Sequence, residues 1–240
     1  MNFDIKKTQK LRKLCQPVAD YLKKNCDVGV DVNITADRIA ITKLDHDAKQ
    51  QIIFPSTNSV EIEKLNVGDF FLIGDKKFRV MEKLAGCVGV LAWDNWENKD
   101  IKFDSNSTNY IGSEIEIYIE ENVKPYIEKE LGEDAIVCVE IEDAPLIDET
   151  KKINIVKSIR PMTFEEFRRF GDLTVNENLD NYYWLMTPWG TDGRGYKYSV
   201  CVVSPSGCLD YLSCNCRSLG VRPFLYLDSS IFVSKTEVEV

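Results

Sequence analysis

Short alternating runs of apolar residues, each closed by a turn signal, commit much of this chain to small antiparallel sheets. Phe70-Phe-Leu-Ile73 runs into Gly74-Asp75, followed by Lys77-Phe-Arg-Val-Met81 and then Val88-Gly-Val-Leu-Ala92. Strand side chains alternate between two faces, so such runs read as strands, and the turn residues between them fold neighbours back antiparallel. Upstream, residues 28–34 and 38–42 alternate on either side of Ala36-Asp37 and predict a hairpin. Residues 135–141, Ala-Ile-Val-Cys-Val-Glu-Ile, predict one further strand.

Helical periodicity is confined to a few places. Leu11, Leu14, Cys15, Val18 and Leu22 form one apolar stripe over residues 5–24. Seven Lys or Arg against Asp20 give that helix a charge of +6. Ser113-Glu-Ile-Glu116 has the form of a capping box, with Ile115, Tyr118, Ile119, Val123, Tyr126 and Ile127 as the apolar face behind it. Pro125 should kink or split that helix. Eight acidic and two basic residues make residues 114–134 net −6, a complement to the basic first helix. Thr163-Phe-Glu-Glu166 opens a short helix to about Phe170. The class is α+β: a helix plus β-hairpin over 1–44, a polar linker over 45–58 containing Pro55, and a larger domain over 59–240. Within that domain, residues 94–108 read as a polar loop.

Composition removes several function classes. The 240 residues carry 30 Lys+Arg against 39 Asp+Glu, for a net charge of −9 and a pI near 4.9, which argues against a whole-surface nucleic-acid binder and leaves the basic first helix as the one feature suited to phosphate contact. No run reaches the length of a membrane span, and the basic start lacks the apolar core of a signal peptide. A cytoplasmic location with reduced thiols is expected. The one histidine, His46, lies in the polar linker between Asp45 and Asp47 and reads as solvated. Cys201, Cys208, Cys214 and Cys216 lack the paired knuckles of a zinc site and read as small apolar fillers, so neither metal nor cofactor is expected. Gly190-Thr-Asp-Gly-Arg-Gly195 lacks the lysine and helix of a phosphate loop. The acidic pairs Glu114/Glu116 and Glu165/Glu166 sit at helix starts, where the dipole favours them without any chemistry. No catalytic residue is assigned.

Tyr183-Trp-Leu-Met-Thr-Pro-Trp189 and, about thirty residues on, Gly220-Val-Arg-Pro-Phe-Leu-Tyr-Leu227 carry a resemblance. Val67-Gly-Asp-Phe70, Phe78-Arg-Val-Met-Glu82 and Thr163-Phe-Glu-Glu-Phe-Arg168 agree with it in order and spacing. Over roughly residues 55–234 the chain resembles a family common in phages and prophages of Firmicutes, itself of uncharacterised function. Its members look like the C-type-lectin fold shared with formylglycine-generating enzymes. The resemblance implies small irregular antiparallel sheets holding long loops, with the loops between the two motifs as the binding surface. Those loops carry Trp189, Arg194, Tyr196, Tyr198, Tyr211, Asn215 and Arg217, residue types that dominate binding hot spots. Trp184 and Arg222 read as structural. Cys214 and Cys216 do not match the enzyme branch of that fold, so a non-enzymatic binder is expected. Its partner would be a host or phage protein, or a small-molecule ligand; nucleic acid and membrane are not expected, and a homo-oligomer is compatible. Two rival readings stay open. One is a counter-defence factor that inhibits a host effector complex or sequesters a signalling nucleotide, using the acidic helix as a nucleic-acid mimic. The other is a virion-associated receptor binder.

Overall fold

The computed structural model describes residues 29–34, 39–44, 49–54, 59–98, 101–147, 152–190, 195–217 and 219–235. The basic helix expected over 5–24, His46 and Arg194 lie outside the described residues. The chain divides into two compact units, Met1–Val60 with Phe232–Lys235, and Glu61–Ile231.

In the first unit, strands β1 (Gly29–Ile34), β2 (Ile39–Leu44) and β3 (Lys49–Phe54) form an antiparallel meander. Ile34 stands opposite Ile39 and Leu44 opposite Lys49. The hairpin follows the alternation in the sequence. The linker assigned to 45–58 is corrected by β3, which fills its middle. Lys49-Gln-Gln-Ile-Ile-Phe54 has a polar half, so it lacks the alternation that marks a strand. Pairing supplies what the pattern does not, setting Ile52 against Ile41 and Ile53 against Ala40. The short strand β4 (Ser59–Glu61) follows.

The second unit is built on β5 (Phe70–Ile73), β6 (Lys76–Leu84) and β7 (Cys87–Ala92), consecutive antiparallel neighbours joined by tight turns. Gly74 takes φ +58, in the left-handed region a non-glycine residue enters only with strain. β6 pairs Val80 with Val90 but Glu82 with Gly89, so Met81 is the extra residue of a bulge. The bulge turns two successive side chains inward, and Val80 and Met81 are both buried. On its other side β7 pairs with β15 (Phe224–Asp228), the strand of the Gly220 motif. β15 in turn pairs β8 (Ile136–Val137) and β11 (Ile159–Arg160). The backbone is closely approached at Gly89, where a Cβ would lie 3.0 Å from Glu82 Cγ and 3.1 Å from the rings of Phe224 and Tyr226.

The strand expected over 135–141 is two. β8 ends at Val137, Cys138 is exposed, and β9 (Val139–Asp143) pairs instead with β10 (Ile153–Lys157). One apolar run thus serves two sheets, and only non-local pairing reveals the break.

Helix α1 (Glu114–Tyr118) passes through a π turn over Ile119–Val123 into α2 (Lys124–Leu131). Ser113 Oγ accepts from Glu116 N at 3.2 Å, as the capping pattern requires. The Glu116 carboxylate reaches one residue further back than expected and accepts from Gly112 N. Pro125 has no N–H and crowds the carbonyl four residues earlier. The wide turn just before it absorbs both defects, so the helix continues. Ile115, Ile119, Val123 and Ile127 are fully buried along one face.

Helix α3 (Phe164–Phe170) begins at a complete capping box: Thr163 Oγ1 accepts from Glu166 N, and Glu166 accepts from Thr163 N. The same carboxylate accepts two bonds of 2.6 Å from the Arg160 guanidinium, which is 2% exposed. The last sheet consists of β12 (Tyr183–Pro188), β13 (Ser199–Val203) and β14 (Leu209–Ser213). The segment 190–219 is therefore not a run of long loops. Its middle is an antiparallel hairpin, with Cys201 opposite Tyr211.

Candidate functional site

Three of the expected binding residues meet. Trp189 directly follows β12, where its N–H donates to Ser199 O at 2.8 Å and its carbonyl accepts from Ile147 N at 3.1 Å. Tyr196 lies in the turn before β13, its carbonyl accepting from Ser199 N. Tyr211 projects from β14. The Trp189 and Tyr211 rings lie 4.6 Å apart and tilted 34°, while Tyr196 meets Tyr211 edge-on at 5.3 Å and Trp189 at 6.5 Å. Both geometries suit rings with negative faces and positive edges. The cluster is the outer margin of a core, since Trp189 and Leu209 pack against buried Leu185, Cys201 and Val203. Tyr211 remains 39% exposed.

Tyr198 stands apart from these rings, 48% exposed, with Lys197 Nζ 5.5 Å above its ring. Asn215 and Arg217 follow β14 and are exposed. Among the described residues, no ring contact or hydrogen bond joins them to the three-ring cluster. Trp184 is fully buried and donates to Ile101 O at 2.7 Å. Arg222, 1% exposed, donates to the carbonyls of Ala92 and Thr174. Both are structural, and they fasten the loops to the sheet.

Against β12 lies a buried carboxylate that sequence reasoning missed. Thr187 Oγ1 accepts from Phe164 N at 2.8 Å and donates to Asp143 Oδ1 at 2.6 Å. Loss of solvent pushes the Asp143 carboxyl up to about 6, against the opposing pull of the Thr187 hydrogen bond. The sequence shows Asp143 only as the last residue of an acidic stretch, Glu140-Ile-Glu-Asp143.

The cysteines in this region are free thiols. Cys201 and Cys214 are buried and burial pushes their thiols up, while Cys208 is exposed and Cys216 half-buried. Among the described residues, no three His, Cys, Asp or Glu side chains are placed to hold a metal ion. No helix among them is long and apolar enough to cross a membrane.

The acidic run over α1 and α2 is largely met by lysines. Lys102 pairs Glu114 at 2.7 Å, Lys157 pairs Glu116 and Glu120, and Lys124 pairs Glu120 and Glu128. Glu121, Glu133 and Asp134 are exposed to solvent.

These elements define an α+β protein of small antiparallel sheets with a partly exposed aromatic cluster at one sheet margin. No family model, no curated protein and no solved structure matches the chain.

Proposed function

We propose that this chain is a non-enzymatic binding protein of phage or prophage type. Its second unit is a C-type-lectin-like domain that engages a protein partner through the region between the two motifs. The observation that carries this reading is the Trp189–Tyr196–Tyr211 cluster. The residue after β12, the turn before β13 and strand β14 each contribute a ring to one place, and Tyr211 stays open to solvent. Large rigid side chains with polar tips give contact area at low entropic cost, which is why such residues dominate hot spots. Small antiparallel sheets are compatible with the lectin-like reading. Mimicry by the acidic helix is less favoured, because lysines from Lys102 to Lys157 take up charge that a nucleic-acid mimic would present.

The test begins with native mass spectrometry of the tagged protein drawn from a lysate of its host, where a protein-sized added mass names the partner. Trp189 also packs on the core, so its truncation mixes binding with stability. Tyr211→Ala and Tyr198→Ala are the cleaner pair, and together they should weaken the partner at least tenfold, about 1.4 kcal/mol. Unchanged affinity in that double variant, with an unchanged melting temperature, sinks the site.

A further inference from the structure

A second place in the same unit has the form of a ligand site, and the ring cluster does not line it. The start of β6, the segment after β7 and the loop before β12 enclose a cleft of about 470 Å³. That lies within the usual range of small-molecule sites, roughly 300–1,000 Å³. Lys76 and Lys77, adjacent on β6, form the cationic side, where Asp75 also lines the cleft with its carboxylate taken up by the Tyr126 hydroxyl; Asp94 and Glu97 after β7 and Asp180 before β12 form the anionic side.

The lysines are held by rings. Lys76 Nζ lies 5.4 Å over Trp96, and Lys77 Nζ lies 4.3 Å over Phe70 and 5.9 Å over Trp93. Neither ammonium has a carboxylate at ion-pair distance among the described residues. A ring face attracts the cation without using its hydrogen-bond donors, so both keep N–H groups for a ligand. On the opposite side Asp94 Oδ1 accepts from Asn176 Nδ2 at 3.2 Å, which fixes that carboxylate. Asp180 is exposed. The wall between them is rigid: the Asn95 side chain donates to Asn181 O and presses on Gly220 so closely that a Cβ there would lie 2.1 Å from its amide carbon. Glu97 takes φ 56, a left-handed conformation that a residue with a Cβ adopts only under strain.

We propose that this cleft binds a small zwitterion, a free amino acid or a dipeptide. The ligand carboxylate would lie toward Lys76 and Lys77, and its ammonium toward Asp94 and Asp180. A simple anion would meet the repulsion of the carboxylates, and a simple amine that of the lysines. A neutral sugar would leave both sets of charge without a charged partner. Only a molecule with both signs gains charge-assisted hydrogen bonds on both sides.

The experiment is a titration of the intact protein with alanyl-alanine and with glycine, followed by the indole N–H resonances in a ¹H–¹⁵N spectrum. The resonances of Trp93 and Trp96 should move saturably, while those of Trp184 and Trp189 stay in place. Acetate, inorganic phosphate and ethylamine, each alone, should bind at least tenfold more weakly. Lys77→Gln, at a half-buried position, and Asp180→Asn, at an exposed one, should each weaken the dipeptide about tenfold with the melting temperature unchanged, and Tyr211→Ala should leave dipeptide binding unchanged. The last comparison keeps this site separate from the partner surface. No shift with either zwitterion up to about 10 mM overturns the proposal, that concentration being a free energy near −3 kcal/mol. Equal binding by phosphate or acetate overturns it too.

Discussion

Asp143 is where one side chain sets a solution property of the protein. It is 6% exposed, its partner is the neutral hydroxyl of Thr187, and desolvation outweighs every favourable contact, so its carboxyl titrates near 6 rather than near 3.8. Between those two values the folded chain binds more protons at this site than the unfolded chain does. Stability therefore falls as pH rises through that window and stays lower above it. Asparagine at this position can still accept from Thr187 and never ionises. Asp143→Asn should match the wild type near pH 4 and exceed it by on the order of 2–3 kcal/mol above pH 6. Urea denaturation at several pH values between 4 and 7 measures this, and an offset that does not change with pH refutes it. The same residue shows the limit of reading single positions. Nothing local distinguishes Asp143 from Glu140 or Glu142, which are exposed. Burial comes from packing against strands far away in the chain.

At the scale of elements, what could be read was local. The Thr163 capping box and its short helix follow from four adjacent residues, and the structure reproduces them. The Gly74-Asp75 turn and the strands beside it follow from alternation for the same reason. β3, the break at Cys138 and the β10 strand were not legible, because each depends on a partner remote in sequence. The candidate site divides in the same way. Trp189, Tyr196 and Tyr211 could be named from residue type, but their contact could not, since it needs the β13–β14 register. The cleft escaped altogether, its charges coming from three separated segments. Helix α3 also gives a sharp energetic test. Glu166 caps the helix and neutralises buried Arg160, whereas Glu165 pairs with Arg168 in the open, both more than half exposed. Glu166→Ala leaves a buried guanidinium unpaired and should cost about 3–5 kcal/mol. Glu165→Ala should cost less than about 1 kcal/mol. Equal losses in a denaturant series would mean that the buried pair contributes nothing beyond the exposed one.

For the whole molecule, the division into two units bears on how the chain unfolds. All four tryptophans, Trp93, Trp96, Trp184 and Trp189, belong to the larger unit, so indole fluorescence is blind to the first. The backbone of the first unit, with its three six-residue strands, contributes instead to far-ultraviolet circular dichroism. A chain of about 60 residues buries roughly 60% of the surface it exposes when unfolded, against roughly 70% for one of 150 or more. By that scaling the first unit is the weaker of the two. Circular dichroism should therefore begin to change at lower urea than fluorescence, and its curve should be broader than one two-state transition allows. Destabilising the larger unit by Glu166→Ala should leave the early phase of the dichroism unaltered, because that phase reports the other unit. Superimposable curves from the two probes, with a single slope, would show instead that the two units unfold as one cooperative body.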